Sequence, residues 1–266
     1  MKRSAALGIV FWFVVCWFPT SAATQCGKCQ ILIDGKCVWC YQIEQECVDG
    51  KCLQEDLTQS LLEAQWTKNW NRVKDLLMKN VDVNAAVRYR DYAPFTPFHL
   101  AARYCKSEIV ALMLAKGARI NDQDPNGCTA LMHTFMGCTD NDVEAQKTVK
   151  VLLSAGADFR LRSKFQATAL HYAISCPSEQ LIKLLLEKGA NLNALDGSGS
   201  TPLITAIKYG DHLDNMRLLK NIKLLLEYGA DVDVRDNFGK SALDYAAAQD
   251  RLEAVELLKK YGLSRR

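Results

Sequence analysis

A two-part phrase recurs five times down this chain and constrains its fold more than any other feature. Thr96-Pro97-Phe98-His99 leads to Met113-Leu114-Ala115-Lys116-Gly117-Ala118, and Thr129-Ala130-Leu131-Met132 leads to Leu152-Leu153-Ser154-Ala155-Gly156-Ala157. Thr168-Ala169-Leu170-His171 leads to Leu185-Leu186-Glu187-Lys188-Gly189-Ala190, and Thr201-Pro202-Leu203-Ile204 leads to Leu225-Leu226-Glu227-Tyr228-Gly229-Ala230. Ser241-Ala242-Leu243-Asp244 precedes a looser Leu257-Leu258-Lys259-Lys260-Tyr261-Gly262. The starts are 33, 39, 33 and 40 residues apart. A period of that length means stacked supersecondary units, none able to bury its apolar face alone.

Each unit reads as a helix pair plus a turn. Thr96 and Thr201 are placed to accept an orphan backbone N–H as N-caps, with Pro97 and Pro202 in the first helical position, where no N–H is missed. Gly117, Gly156, Gly189, Gly229 and Gly262 are placed to end the second helices in a left-handed cap. Ala101, Ala102, Ala173, Ala206, Ala246 and Ala247 let paired helices approach closely. The longer spacings put insertions of 39 − 33 = 6 and 40 − 33 = 7 residues around Gly137–Lys147 and Gly210–Lys220. They are expected as protruding loops or as longer helices. Upstream, Leu61, Leu62, Trp66, Trp70, Val73, Leu76 and Leu77 follow helical spacing, with a turn expected at Lys68-Asn69. This is a degenerate first unit without the Thr-Pro-Leu-His phrase, as a capping unit would be.

Ahead of the repeats the chemistry changes twice. Residues 1–23 read as a secretory signal: Lys2 and Arg3, a 12-residue apolar run from Leu7 to Phe18, Pro19, then Ser21-Ala22-Ala23. The run is shorter than the roughly 20 residues of a spanning helix, so no stable membrane insertion is expected after cleavage. Residues 24–54 hold Cys26, Cys29, Cys37, Cys40, Cys47 and Cys52. Asp34-Gly35 and Asp49-Gly50 mark tight hairpin turns, with Ile31–Ile33 and Val38-Trp39 as short strands around the first. So small a module needs staples, and in an exported chain they are three disulfides. The two Cys-x-x-Cys pairs admit a second reading, a zinc-binding or redox-active module that is itself the functional part. Ten cysteines remain beyond the signal, and Cys138–Cys176 is a candidate bridge within the repeats.

The paired phrases resemble the ankyrin repeat, over about residues 57–264. The resemblance implies an all-α ankyrin-repeat solenoid of about six repeats in residues 55–266, preceded by the small disulfide-rich module. It also implies that His99 and His171 fix turns by local hydrogen bonds. No catalytic residue, metal ligand or cofactor is expected in the repeats, and His133 and His212 have no acid–nucleophile partner at a recognisable spacing. The family binds proteins through finger tips and the concave face. Carried onto this chain, that points to Arg88, Tyr89, Arg90, Tyr92, Phe95, Arg103, Tyr104, Arg162, Lys164, Phe165, Lys208, Tyr209, Arg235 and Phe238. Arg and aromatic side chains are hot-spot chemistry. Their local basicity, in a chain of net charge +3, points to a protein partner with an acidic surface. Nucleic acid would need a denser basic stripe. The expectation is thus an exported, secreted or periplasmic, non-enzymatic scaffold.

Overall fold

The computed structural model describes residues 30–33, 36–39, 51–86, 95–137, 143–176, 178–210 and 215–263, with side chains from Leu57 to Gly262. Contacts divide the chain into two units, Met1–Asp56 and Leu57–Arg266. In the first, β1 (Gln30–Ile33) pairs antiparallel with β2 (Lys36–Trp39). Ile33 opposes Lys36, so only Asp34-Gly35 separates the strands, the hairpin spacing expected from sequence. Asp49-Gly50 and the side chains of Cys26, Cys29, Cys37, Cys40, Cys47 and Cys52 lie outside the described residues.

The repeat unit is all helical, as the two-part phrases require. Helix pairs follow one another six times: α1 (Lys51–Trp66) with α2 (Trp70–Leu77), α3 (Pro97–Arg103) with α4 (Ser107–Ala115), α5 (Ala130–Gly137) with α6 (Val143–Ser154), α7 (Ala169–Ile174) with α8 (Glu179–Glu187), α9 (Pro202–Lys208) with α10 (Asn215–Glu227), and α11 (Ala242–Ala248) with α12 (Leu252–Leu263). We number these pairs units one to six. The first helices of units two to six pack in series, and so do the second helices of units one to six. One continuous core results, running from Leu61, Val73 and Leu76 through Phe98, Met113, Leu131, Leu152, Leu170 and Leu185 to Leu225, Ala246 and Leu258. Each fully buried aliphatic side chain contributes about 1.5–3 kcal/mol, so the stack is held by neighbour-to-neighbour burial.

The caps follow the sequence reading. Thr96 Oγ1 accepts from His99 N and Thr201 Oγ1 from Ile204 N, both at 3.3 Å, with Pro97 and Pro202 in the first turn. Gly117, Gly156, Gly189 and Gly229 have φ between 84° and 103° and end their helices. Gly262 differs: it stays inside α12, because glycine tolerates the left-handed region without requiring it and Leu263 continues the helix. Ala247 also differs, facing solvent while Ala246 is buried. Helix α1 starts at Lys51, ahead of Glu55, where the helical spacing read from the sequence begins.

The insertions lengthen the second helices: α6 and α10 have 12 and 13 residues against 9 in α4 and α8. The remainder, residues 138–142 and 211–214, lies outside the described residues, as do His212 and Cys138. Cys105 and Cys128 are buried thiols, whereas Cys176 is disulfide-bonded.

Candidate functional site

The face that could meet a partner is built by the fingers, the turns between one unit and the next. In units three, five and six each finger starts with an aspartate. Asp124 Oδ1 accepts from Asn126 N and Cys128 N, both at 2.8 Å. Asp196 Oδ1 accepts from Ser198 N and Ser200 N at 2.8 Å, and Asp236 Oδ1 from Phe238 N and Lys240 N at 2.9 and 3.1 Å. A glycine three residues on (Gly127, Gly199 or Gly239) supplies the positive φ that closes the turn. Unit four repeats the shape with Ser163 and Gln166, and Gln166 takes φ +58° without being glycine. Neighbouring fingers are joined edge to edge by Lys164 N→Asn126 O, Gly197 N→Phe165 O and Asn237 N→Ser198 O, at 2.8–2.9 Å.

The histidines serve this framework. His171 Nδ1 accepts from Thr168 N at 3.1 Å and lies 2.9 Å from Thr168 Oγ1, so Nε2 carries the proton and donates to Ser200 O at 3.2 Å. His99 is held likewise by Thr96 Oγ1 at 2.8 Å and Asp122 O at 3.0 Å. Burial, with His133 adding to it, pushes His99 down to about 4, so it is neutral at physiological pH. These contacts match the local turn-fixing role that the resemblance implies.

His133 has a buried acid partner that the sequence reading did not name. Its Nε2 lies 3.0 Å from Asp124 Oδ2, both side chains being almost fully buried. Burial opposes charge on Asp124, but the His133 hydrogen bond and the backbone N–H donors outweigh it and hold the carboxyl below its usual range. The pair locks finger to helix and is closed to solvent. The same link recurs where Tyr245 OH donates to Asp236 Oδ2 at 2.6 Å, again nine residues after the aspartate. Burial pushes the Cys128 thiol up, which disfavours the reactive thiolate.

Arg88, Tyr89, Arg90 and Tyr92 lie outside the described residues. Phe95 is half-buried, edge-on to His133 at 5.5 Å. Arg103 is exposed and reaches Met136 Sδ at 3.7 Å, while Tyr104 packs edge-on to Trp70 at 5.6 Å. Two arginines work inside the fold. Arg162 Nη1 donates to Gln166 O at 2.9 Å and to Leu195 O at 2.6 Å, tying its finger to the next. Arg235 Nη1 donates to Gly239 O at 2.6 Å and meets Asp244 at 2.8 Å. Lys164 and Phe165 project freely, Phe165 being 68% exposed.

Lys208, Tyr209 and Phe238 come together, although 30 residues separate the first from the last. The Lys208 ammonium lies 5.4 Å from the Tyr209 ring centroid, 5.4 Å from Phe238 and 5.3 Å from Tyr245. Asp236 Oδ2, fully buried, is 3.9 Å from it. Burial works against the ammonium, but Tyr209 and Tyr245 outweigh it and hold Lys208 above its ordinary value. Phe238 and Tyr209 remain 71% and 52% exposed. Sequence reasoning missed Asp236, Tyr245 and Lys240, whose ammonium lies 5.6 Å from the Tyr245 ring. The available signal was the aspartate-to-helix interval of nine residues, shared with Asp124 and His133. Cation–π contacts of this kind contribute about 0.5–2 kcal/mol each.

Among the described residues no group of three potential metal ligands converges, and no helix is long and apolar enough to cross a membrane. The family model for ankyrin repeats in three copies matches residues 135–222, that for many copies residues 218–258, and the single ankyrin repeat residues 95–125. Fowlpox virus ankyrin repeat protein FPV223 is 30% identical over 142 residues, covering 53% of this chain and 92% of its own. FPV230 of the same virus is 28% identical over 174 residues, covering 55% and 91%. The B-cell lymphoma 3 protein homolog of Mus musculus is 31% identical over 143 residues, but this chain spans only 30% of it. Recurrent phrases, stacked helix pairs, Thr–His turns and these matches agree, and the chain belongs to the ankyrin-repeat family.

Proposed function

We propose that this protein is an exported scaffold that binds a protein partner through the finger and inner-helix face of units four to six. The observation that carries the binding reading is the cluster of Lys208, Tyr209, Phe238 and Tyr245, with two of its rings left largely exposed. Large aromatic area beside a cation is the composition of interface hot spots. The partner surface is acidic, since exposed Lys164 and Lys240 line this face while Asp196, Asp236 and Asp244 are engaged within the fold. The decisive variant is Phe165→Ser with Phe238→Ser. It should melt within a few degrees of wild type and lose a partner that both wild type and the second-helix control Lys223→Ala retain. Retention of that partner by the double variant contradicts the reading.

Export rests on the signal-like residues 1–23 and on the even number of cysteines, ten, that follow them. The six N-terminal cysteines are proposed to pair as three disulfides. N-terminal sequencing of chain recovered outside the cell should begin just after Ala23. Chain found only inside the cell, with intact residues 1–23, contradicts export.

A further inference from the structure

The fingers of units four, five and six differ in one ordered way. At equivalent tip positions they carry Phe165, Ser198 and Phe238. Beside the outer two stand exposed Lys164 and Lys240, whereas the middle finger is Gly197-Ser198-Gly199-Ser200. The middle finger has little room for more. A Cβ on Gly197 would come 3.0 Å from Phe165 O, and one on Gly199 would meet Asn237 at 2.5 Å while φ is +74°. The result is a bay with aromatic–lysine walls on either side and a low threshold between them. Its floor is the end of α9, where Lys208 and Tyr209 lie.

The walls are two units apart. Adjacent helices pack about 8–10 Å apart, so the wall backbones are roughly 16–20 Å apart. That spacing admits a body about 10–12 Å wide, the diameter of an α-helix with its side chains. A single extended strand, about 5 Å across by strand spacing, would leave one wall unused. The electrostatics are equally directional. Asp196 is satisfied by Ser198 N, Ser198 Oγ and Ser200 N, Asp236 by Phe238 N, Lys240 N and Tyr245 OH, and Asp244 by Arg235 and Ser241. The bay therefore offers a visiting group ammonium donors and aromatic surface, with its carboxylates already engaged.

We infer that this bay receives an acidic amphipathic α-helix of a partner protein, laid across the stack. Its apolar stripe would rest on Tyr209 between Phe165 and Phe238, and its flanking carboxylates would meet Lys164 and Lys240. This rests on the protein-binding reading above and adds the partner's form and charge.

The probe is a labelled 18-residue synthetic helix with a Leu stripe flanked by Glu on both sides, titrated by fluorescence anisotropy into the full chain. Two relatives accompany it: one with two central prolines, which breaks the helix, and one with Lys replacing every Glu. The acidic helix is expected to bind at least tenfold more tightly than either. Ser198→Trp, which fills the threshold, should weaken it at least tenfold, and Ser198→Ala should not, with both melting near wild type. Equal binding of the proline-broken peptide overturns the helix while leaving the protein-binding face standing. Equal binding of the Lys peptide, no binding of the acidic helix, or indifference to Ser198→Trp overturns the inference. The scaffold reading itself is judged separately, by retention of a natural partner.

Discussion

The fingers of units four and six present a phenylalanine at the same place and hold it by different means. In unit six Asp236 takes two finger N–H groups on one oxygen, and Tyr245 with Lys208 on the other, and Gly239 supplies the positive φ. In unit four Ser163 stands where that aspartate would be, and Gln166 takes φ +58° at a cost of about 1–2 kcal/mol for an L residue. What compensates is Arg162, which ties Gln166 O to Leu195 O. Both fingers thus share an arginine bond across the turn (Arg162 to Gln166 O, Arg235 to Gly239 O) and main-chain pairing to a neighbour, but the unit-six finger adds a buried aspartate anchored to its inner helix and the unit-four finger adds the Arg162 tie to Leu195 O. The same hairpin shape can rest on local hydrogen bonds or on stacking, and only the first leaves a strong trace in sequence.

Asp236→Ala should have the largest effect, a loss of about 2–4 kcal/mol, because it orphans two finger N–H groups, the Tyr245 hydroxyl and the partly buried Lys208. Ser163→Ala should cost well under about 1 kcal/mol in the same denaturant titration, within the range of changes that leave no polar group orphaned. Equal losses would remove the distinction between the fingers.

Acid comes next. His99 has its folded value lowered from 6.5 to about 4 by burial, so the unfolded chain takes up a proton first. Its stabilising effect is fully present above 6.5 and falls as pH drops toward 4, by up to about 3 kcal/mol. His171, also lowered by burial, acts in the same direction. The carboxyls of Asp124 and Asp236 are lowered from 3.8, so their contribution is lost only below that value. Urea midpoints between pH 7 and 3 should therefore fall first through the histidine window. A flat profile down to pH 4, or His99→Gln leaving the slope unchanged, would contradict this assignment.

Smaller and opposite in sign are two repairs of unit four. Gln166→Gly relieves the left-handed strain and should raise stability by about 1 kcal/mol. Ser163→Asp gives Phe165 N and Ala167 N an acceptor and should add about 0.5–1 kcal/mol. Neither repair should help if Arg162 already relieves all the strain, and Arg162→Ala in each background measures that share.

Much of this fold is legible in the sequence, because it is written in contiguous residues. Thr96-Pro97 fixes a helix start, Gly117-Ala118 a helix stop, and the alternation of Leu and Ala a buried face, all within one unit. The turn at Lys68-Asn69 falls between α1 and α2, and Lys68 has φ +57°. What escaped depends on contacts between units. Nothing local marks Arg162 as a donor to Leu195 O, a tie between fingers that the sequence reading did not name. Tyr245 and Asp236 escaped for the related reason that their pairing spans a turn and a helix start. The gathering of Lys208 with Phe238 needs the stacking of units five and six. Arg88 to Tyr92 are the part of the predicted surface that lies outside the described residues.

The central claim, that the face formed by Phe165, Lys208 and Phe238 receives the partner, is tested most directly by site-specific photocrosslinking. A benzophenone side chain is placed at Phe238 in one preparation and at exposed Lys223, on the second helix of unit five, in another. The Phe238 preparation should crosslink one defined protein, unlabelled wild-type chain should compete it away, and the Lys223 preparation should not crosslink it. Crosslinking of the same protein from Lys223 but not from Phe238 would put the partner on the second-helix side instead.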